Sequence, residues 1–97
     1  MRALQIDAHD KVITECEIEQ DDNVLISEYT IVHVPGLSGK DALYTMTGVD
    51  PLGAIYKVKG LLITCRGTGF VLGHTIDGEI TAAKTTLKSL KRLVAFP

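Results

Sequence analysis

A chain of 97 residues, 45% apolar and 23% charged, supports one hydrophobic core and leaves no room for a second. That balance excludes a disordered polyelectrolyte. No apolar run approaches the roughly 18 residues of a membrane-spanning helix, which excludes a helical membrane anchor. The net charge of −2 conceals a split. Residues 1–30 carry eight acids against Arg2 and Lys11, or −6, while residues 31–97 carry eight bases against four acids, or +4. A nucleic-acid binder or a DNA mimic would hold one sign throughout. Two complementary faces suit a charged protein partner or self-association, a homodimer included.

A chain of this size buries about 60–65% of its unfolded surface. With no tryptophan and only 5% aromatic residues, its core must be aliphatic. Asp7 and Asp10 stand where a signal peptide needs its apolar region, so the expected location is the cytoplasm. Cys16 and Cys65 each fall in the apolar register of a strand and are expected as buried free thiols.

In chain order, Arg2–Asp7 is predicted as a strand, 8–11 as a turn and Val12–Glu19 as a second strand, closing a hairpin. The second strand alternates, with Val12, Thr14, Cys16 and Ile18 toward the core and Ile13, Glu15, Glu17 and Glu19 outward. Residues 20–23 break the pattern and suit a helix cap. The apolar residues that follow fit two helical turns or a strand; the expectation is a helix over Asp22–Glu28, then a strand Thr30–Val34 ended by Pro35-Gly36. Ala42–Met46 and Ala54–Lys59 are further strands. Leu61–Arg66 and Phe70–Gly73 are read as two buried central strands turning on Gly67-Thr68-Gly69. Asp77-Gly78 suits a tight turn. Thr86 is placed to cap a helix Leu87–Arg92 with Lys88, Lys91 and Arg92 toward its C-terminus, and Leu93–Phe96 closes the chain as a strand or apolar tail.

Few side chains carry chemistry. Gly36-Leu37-Ser38-Gly39-Lys40 resembles a phosphate loop, but Val34 replaces the first glycine and Asp41 replaces the Mg²⁺-binding hydroxyl. An aspartate there would repel the phosphate. Arg66-Gly67-Thr68-Gly69 can converge backbone N–H groups on an anion, with Arg66 adding charge; Lys59, Arg66, Thr68 and His74 are the candidate ligand-binding residues. No two of His9, His33, His74, Cys16 and Cys65 lie within four residues of each other, which argues against a metal site. His74 with Asp77 is the one acid–base pair to consider. Three acids alternating on one strand face most simply keep an edge soluble.

The opening Met1–Asp7, the stretch Gly67–Gly78 and the run Thr86–Leu90 together resemble a family of uncharacterised domains, about a hundred residues long, carried by bacteriophages and mobile elements. Its members share a glycine-rich segment running into Val-Leu-Gly-Thr-Asp and a threonine-capped terminal helix. Here His74 stands in place of that threonine, and the Thr-Asp pair is spread to Thr75 and Asp77. The resemblance implies a phage or mobile-element setting and supplies no chemistry.

These readings converge on a single domain, 1–97, of the α+β class: a mainly antiparallel twisted sheet with a C-terminal helix on one face. The expected function is non-enzymatic, an accessory protein binding a host or viral protein, with no cofactor and no catalytic residue. The alternative is a small-ligand protein that holds a nucleotide or other anion at 66–69.

Overall fold

The computed structural model describes residues 1–19, 28–48 and 51–97. Among them are eight strands: β1 (Arg2–Asp7), β2 (Val12–Glu17), β3 (Thr30–Val32), β4 (Ala42–Thr47), β5 (Ile55–Val58), β6 (Cys65–His74), β7 (Ile80–Thr81) and β8 (Val94–Ala95). One helix, α1 (Leu87–Leu93), lies between β7 and β8. Every pairing is antiparallel.

The sheet is organised around β6. Its main path runs β2-β1-β6-β4-β3, while β5 and β7 also pair with β6 and β8 pairs with β5. The alternation of side chains divides the core between the two faces of this strand. Val71 joins Leu4, Ile6, Ile13, Leu43, Tyr56, Val58, Cys65 and Leu90 on one side. Leu72 joins Ala3, Ala42, Tyr44 and Ile80 on the other. Helix α1 covers the first face, with Leu90 buried and Leu87 and Leu93 packed beside it. It starts at Thr86, whose hydroxyl accepts from the Ser89 N–H at 3.1 Å, and Lys91 and Arg92 occupy its last turn, where cations oppose the dipole.

The α+β expectation is corrected by this architecture. Strands hold 45% of the described residues against one helix of seven residues, so the fold is nearly all-β. The α+β class rests on a C-terminal helix packed as a layer on one face of the sheet. That helix is only two turns long, too short to form a layer, and the expected helix Asp22–Glu28 lies outside the described residues but for Glu28.

The second correction concerns the centre. Leu61–Arg66 and Phe70–Gly73 are not two strands on a hairpin, because residues 65 to 74 form one ten-residue strand. Gly67 takes φ +67° but turns no corner. Between the pairs Met46↔Arg66 and Tyr44↔Phe70, β6 carries three residues against one on β4, which is a bulge. The Gly67 N–H donates to the Ala54 carbonyl at 2.9 Å, and its own carbonyl accepts from Ala8 N at 3.1 Å. Leu61–Thr64 consequently falls outside the strand, and Leu62 and Ile63 are exposed.

The hairpin β1–β2 forms as expected, with Ala3 opposite Cys16 and Ile6 opposite Ile13. Its facing is mixed. Ile13 is buried on the first face, Cys16 and Ile18 pack at the second, and Val12 is exposed. A sheet with both faces covered accepts apolar side chains from either register, which a one-sided reading of the alternation misses.

Candidate functional site

The four candidate residues are spread along the sheet rather than gathered. Lys59 is exposed just beyond β5, with its backbone N–H bound to the Leu93 carbonyl at 2.7 Å. Arg66 is half-buried in β6 and donates from Nε to the Thr47 carbonyl at 3.2 Å. Thr68 stands two residues on, opposite Asp7. His74 ends the same strand, roughly 25 Å from Arg66 at the rise of an extended chain. The amide of Gly67 is spent on Ala54, and the space over Gly69 is filled by the Tyr56 hydroxyl.

Around His74 the fold assembles something more specific. Antiparallel pairing of Ala42 with Leu72 brings Asp41, the residue before β4, opposite Gly73. The chain after β7 then crosses over that point. A Cβ on Gly73 would meet Thr81 Oγ1 at 2.5 Å, the Ala82 carbonyl at 3.0 Å and Asp41 Oδ1 at 3.2 Å, so only glycine fits beneath the crossing. Asp41 is 3% exposed. Its Oδ2 accepts from the N–H of Lys84 at 2.8 Å, the N–H of Thr85 at 2.6 Å and the Thr85 hydroxyl at 2.7 Å. The same hydroxyl accepts from Ser38 N at 3.0 Å. One buried carboxylate thus fastens the segment 84–85 to the loop 38–41.

Two polar atoms in this region are buried and lack any hydrogen-bond partner, Asp41 Oδ1 and His74 Nδ1. Both residues line a cleft of about 760 Å³ together with Lys40, Thr75, Thr81 and Lys84. The Asp77 carboxylate expected beside His74 is exposed, in a turn closed by Thr75, which accepts from the Gly78 and Glu79 N–H groups. Asp41 and Lys84 were not legible as a pair in the sequence, being 43 residues apart. The available signal was local, a charged residue at the head of the apolar run Ala42-Leu43-Tyr44.

A smaller cleft of about 440 Å³ lies between β2 and the C-terminal segment, lined by Val12, Ile13, Val94 and Phe96 with Lys11 and Lys91 at its rim. Lys11 is the only non-glycine residue at positive φ among those described, at 55°. The two thiols are poor nucleophiles: burial pushes Cys65 up, and burial followed by the Glu17 charge does the same to Cys16, so both stay protonated near neutral pH. Among the described residues no helix is long and apolar enough to cross a membrane. Compared with models of protein families, with curated proteins and with solved structures, the chain matches none.

Proposed function

We propose that this is a non-enzymatic binding protein, which grips a protein partner with the loop between β5 and β6. The observation that carries this reading is the exposure of two adjacent large aliphatic residues, Leu62 at 105% and Ile63 at 41%. Fully burying one such side chain is worth about 1.5–3 kcal/mol, and here the fold leaves that stabilisation unused. Lys57 and Lys59, both exposed, precede the loop. An apolar anchor flanked by ammonium groups suits a partner with an apolar recess rimmed by carboxylates. The resemblance to phage and mobile-element domains adds the proposal that this partner is a host or viral protein met in the host cytoplasm.

The test is affinity capture from the native host, with the partner identified by mass spectrometry and its binding measured with purified proteins. Leu62→Ser/Ile63→Ser should weaken the complex at least tenfold, and higher salt should weaken it further. A partner that the double variant still holds at full affinity overturns the reading. Sedimentation of the protein alone shows whether the partner is a second copy. A ligand role has separate support in the cleft around Asp41 and His74.

A further inference from the structure

The cleft at the far end of β6 stands about 30 Å of extended strand away from Leu62 and Ile63, and the association proposed above makes no use of it. Its chemistry is unusual in combining a buried acceptor with surface cations. Lys40 and Lys84 both line it and both are exposed. Their backbones are fixed on either side of Asp41, Lys40 by sequence and Lys84 through its N–H bond to Oδ2. The stem of Lys84 lies along the loop at Gly39, where a Cβ would meet its Cδ at 3.5 Å. Two ammonium groups so placed call for an anion.

Asp41 narrows which anion. Oδ2 already accepts three hydrogen bonds, which absorb much of the carboxylate charge. Oδ1 accepts none and is shut away from water, a condition that costs about 1–3 kcal/mol or more. A fully deprotonated oxyanion would face this oxygen with a lone pair and be repelled. Once the side chains covering Oδ1 move aside, an oxyanion that keeps one acidic hydrogen can donate it there while its remaining oxygens take the lysine charges. His74 Nδ1, the other unpartnered atom, can add a ring N–H when that nitrogen carries the proton.

We propose that the cleft formed by Lys40, Asp41, His74 and Lys84 binds a protonated phosphate group, as inorganic phosphate or as a phosphate monoester, and that Asp41 accepts its P–OH hydrogen. The aspartate that disqualifies 36–41 as a nucleotide-hydrolysing loop becomes the selectivity element of a different site. At about 760 Å³ the cleft is within the range of small-ligand pockets, so an organic group on the phosphate has room.

Titration calorimetry at about pH 5.5, below the second pKa of a phosphate monoester so that each phosphate probe keeps a P–OH hydrogen, and at constant ionic strength, with the full chain and inorganic phosphate, methyl phosphate and sulfate as probes, tests this. Phosphate should bind saturably and sulfate, which carries no proton at that pH, at least tenfold more weakly. Methyl phosphate binding more tightly than phosphate assigns the site to esters, and the reverse order assigns it to the free anion. Lys40→Ala/Lys84→Ala, both on exposed positions, should weaken phosphate at least tenfold, while Lys88→Ala on the outer face of α1 should not. Asp41→Asn, provided it folds, should erase the preference over sulfate. Equal affinity for phosphate and sulfate in the unaltered protein, no saturable phosphate binding, or full affinity in the double lysine variant would each overturn the proposal.

Discussion

The Tyr56 hydroxyl occupies the space where a side chain on Gly69 would begin. The phenol crosses the first face of the sheet to reach it and shares a hydrogen bond with Thr45 Oγ1. Gly69 is therefore needed for its missing Cβ. Gly67, at φ +67° with open space around it, is needed for its backbone. Gly69→Ala should cost about 1–3 kcal/mol by overpacking and Gly67→Ala about 1 kcal/mol by strain. Urea denaturation separates the two causes. In a Tyr56→Phe background the Gly69→Ala penalty should shrink by about 1 kcal/mol, while the Gly67→Ala penalty should not change.

Asp41 holds two chain segments together through Oδ2 alone. Asp41→Ala strands the N–H groups of Lys84 and Thr85 and should destabilise the protein by about 2–4 kcal/mol. Asn retains an oxygen to accept those bonds, so Asp41→Asn should cost clearly less. Equal losses in thermal unfolding would mean that the bonds contribute little and that the cost lies in packing.

Alkaline pH should weaken the fold. Burial raises the thiol of Cys65 and the phenols of Tyr44 and Tyr56 above their ordinary values of 9.0 and 10.0. The protons are held more tightly in the folded state, so the unfolded chain loses them first. The stabilisation is complete below pH about 9 and is lost as pH rises from there through the raised values. Urea midpoints should be level up to about pH 8.5 and fall above it, and Tyr56→Phe should flatten the decline.

Leu62 should be dispensable for folding. Leu62 is fully in water and Ile63 is 41% exposed, so Leu62→Ser alone should shift stability by no more than about 0.5 kcal/mol. A fall in melting temperature beyond a few degrees would place Leu62 in the core, where the sequence pattern had put it.

Cys65 should resist alkylation in the native protein at pH 8, since it is fully buried and its thiol is held protonated. Cys16, half-buried and free, should react first. Reaction of both at the rate of a small-molecule thiol would show that the sheet opens readily around β6.

The sequence determined what local chemistry can specify. Alternation over residues 2–19 dictated a hairpin, because period 2 is a property of the strand itself. Thr86 followed by Leu87 and Leu90 dictated the start of α1, because a cap needs only its own next turn. A mostly aliphatic core followed from composition, although Tyr44 and Tyr56 are buried in it as well. Tertiary structure decided the rest, wherever the deciding partner lies far along the chain. Leu61-Leu62-Ile63 has the composition of a buried strand, yet β5 and β4 pair with β6 only from Cys65 onward, and the run is left outside. Gly67 could have turned a hairpin; hydrogen bonds to Ala54 and Ala8 held it in a bulge. Asp41 looked like a defect in a phosphate loop until the chain passing Gly73 at Thr81 and Ala82 brought the N–H groups of Lys84 and Thr85 to one of its oxygens. Burial and hydrogen-bond partnership are set by what arrives from elsewhere in the chain, and no local pattern encodes them.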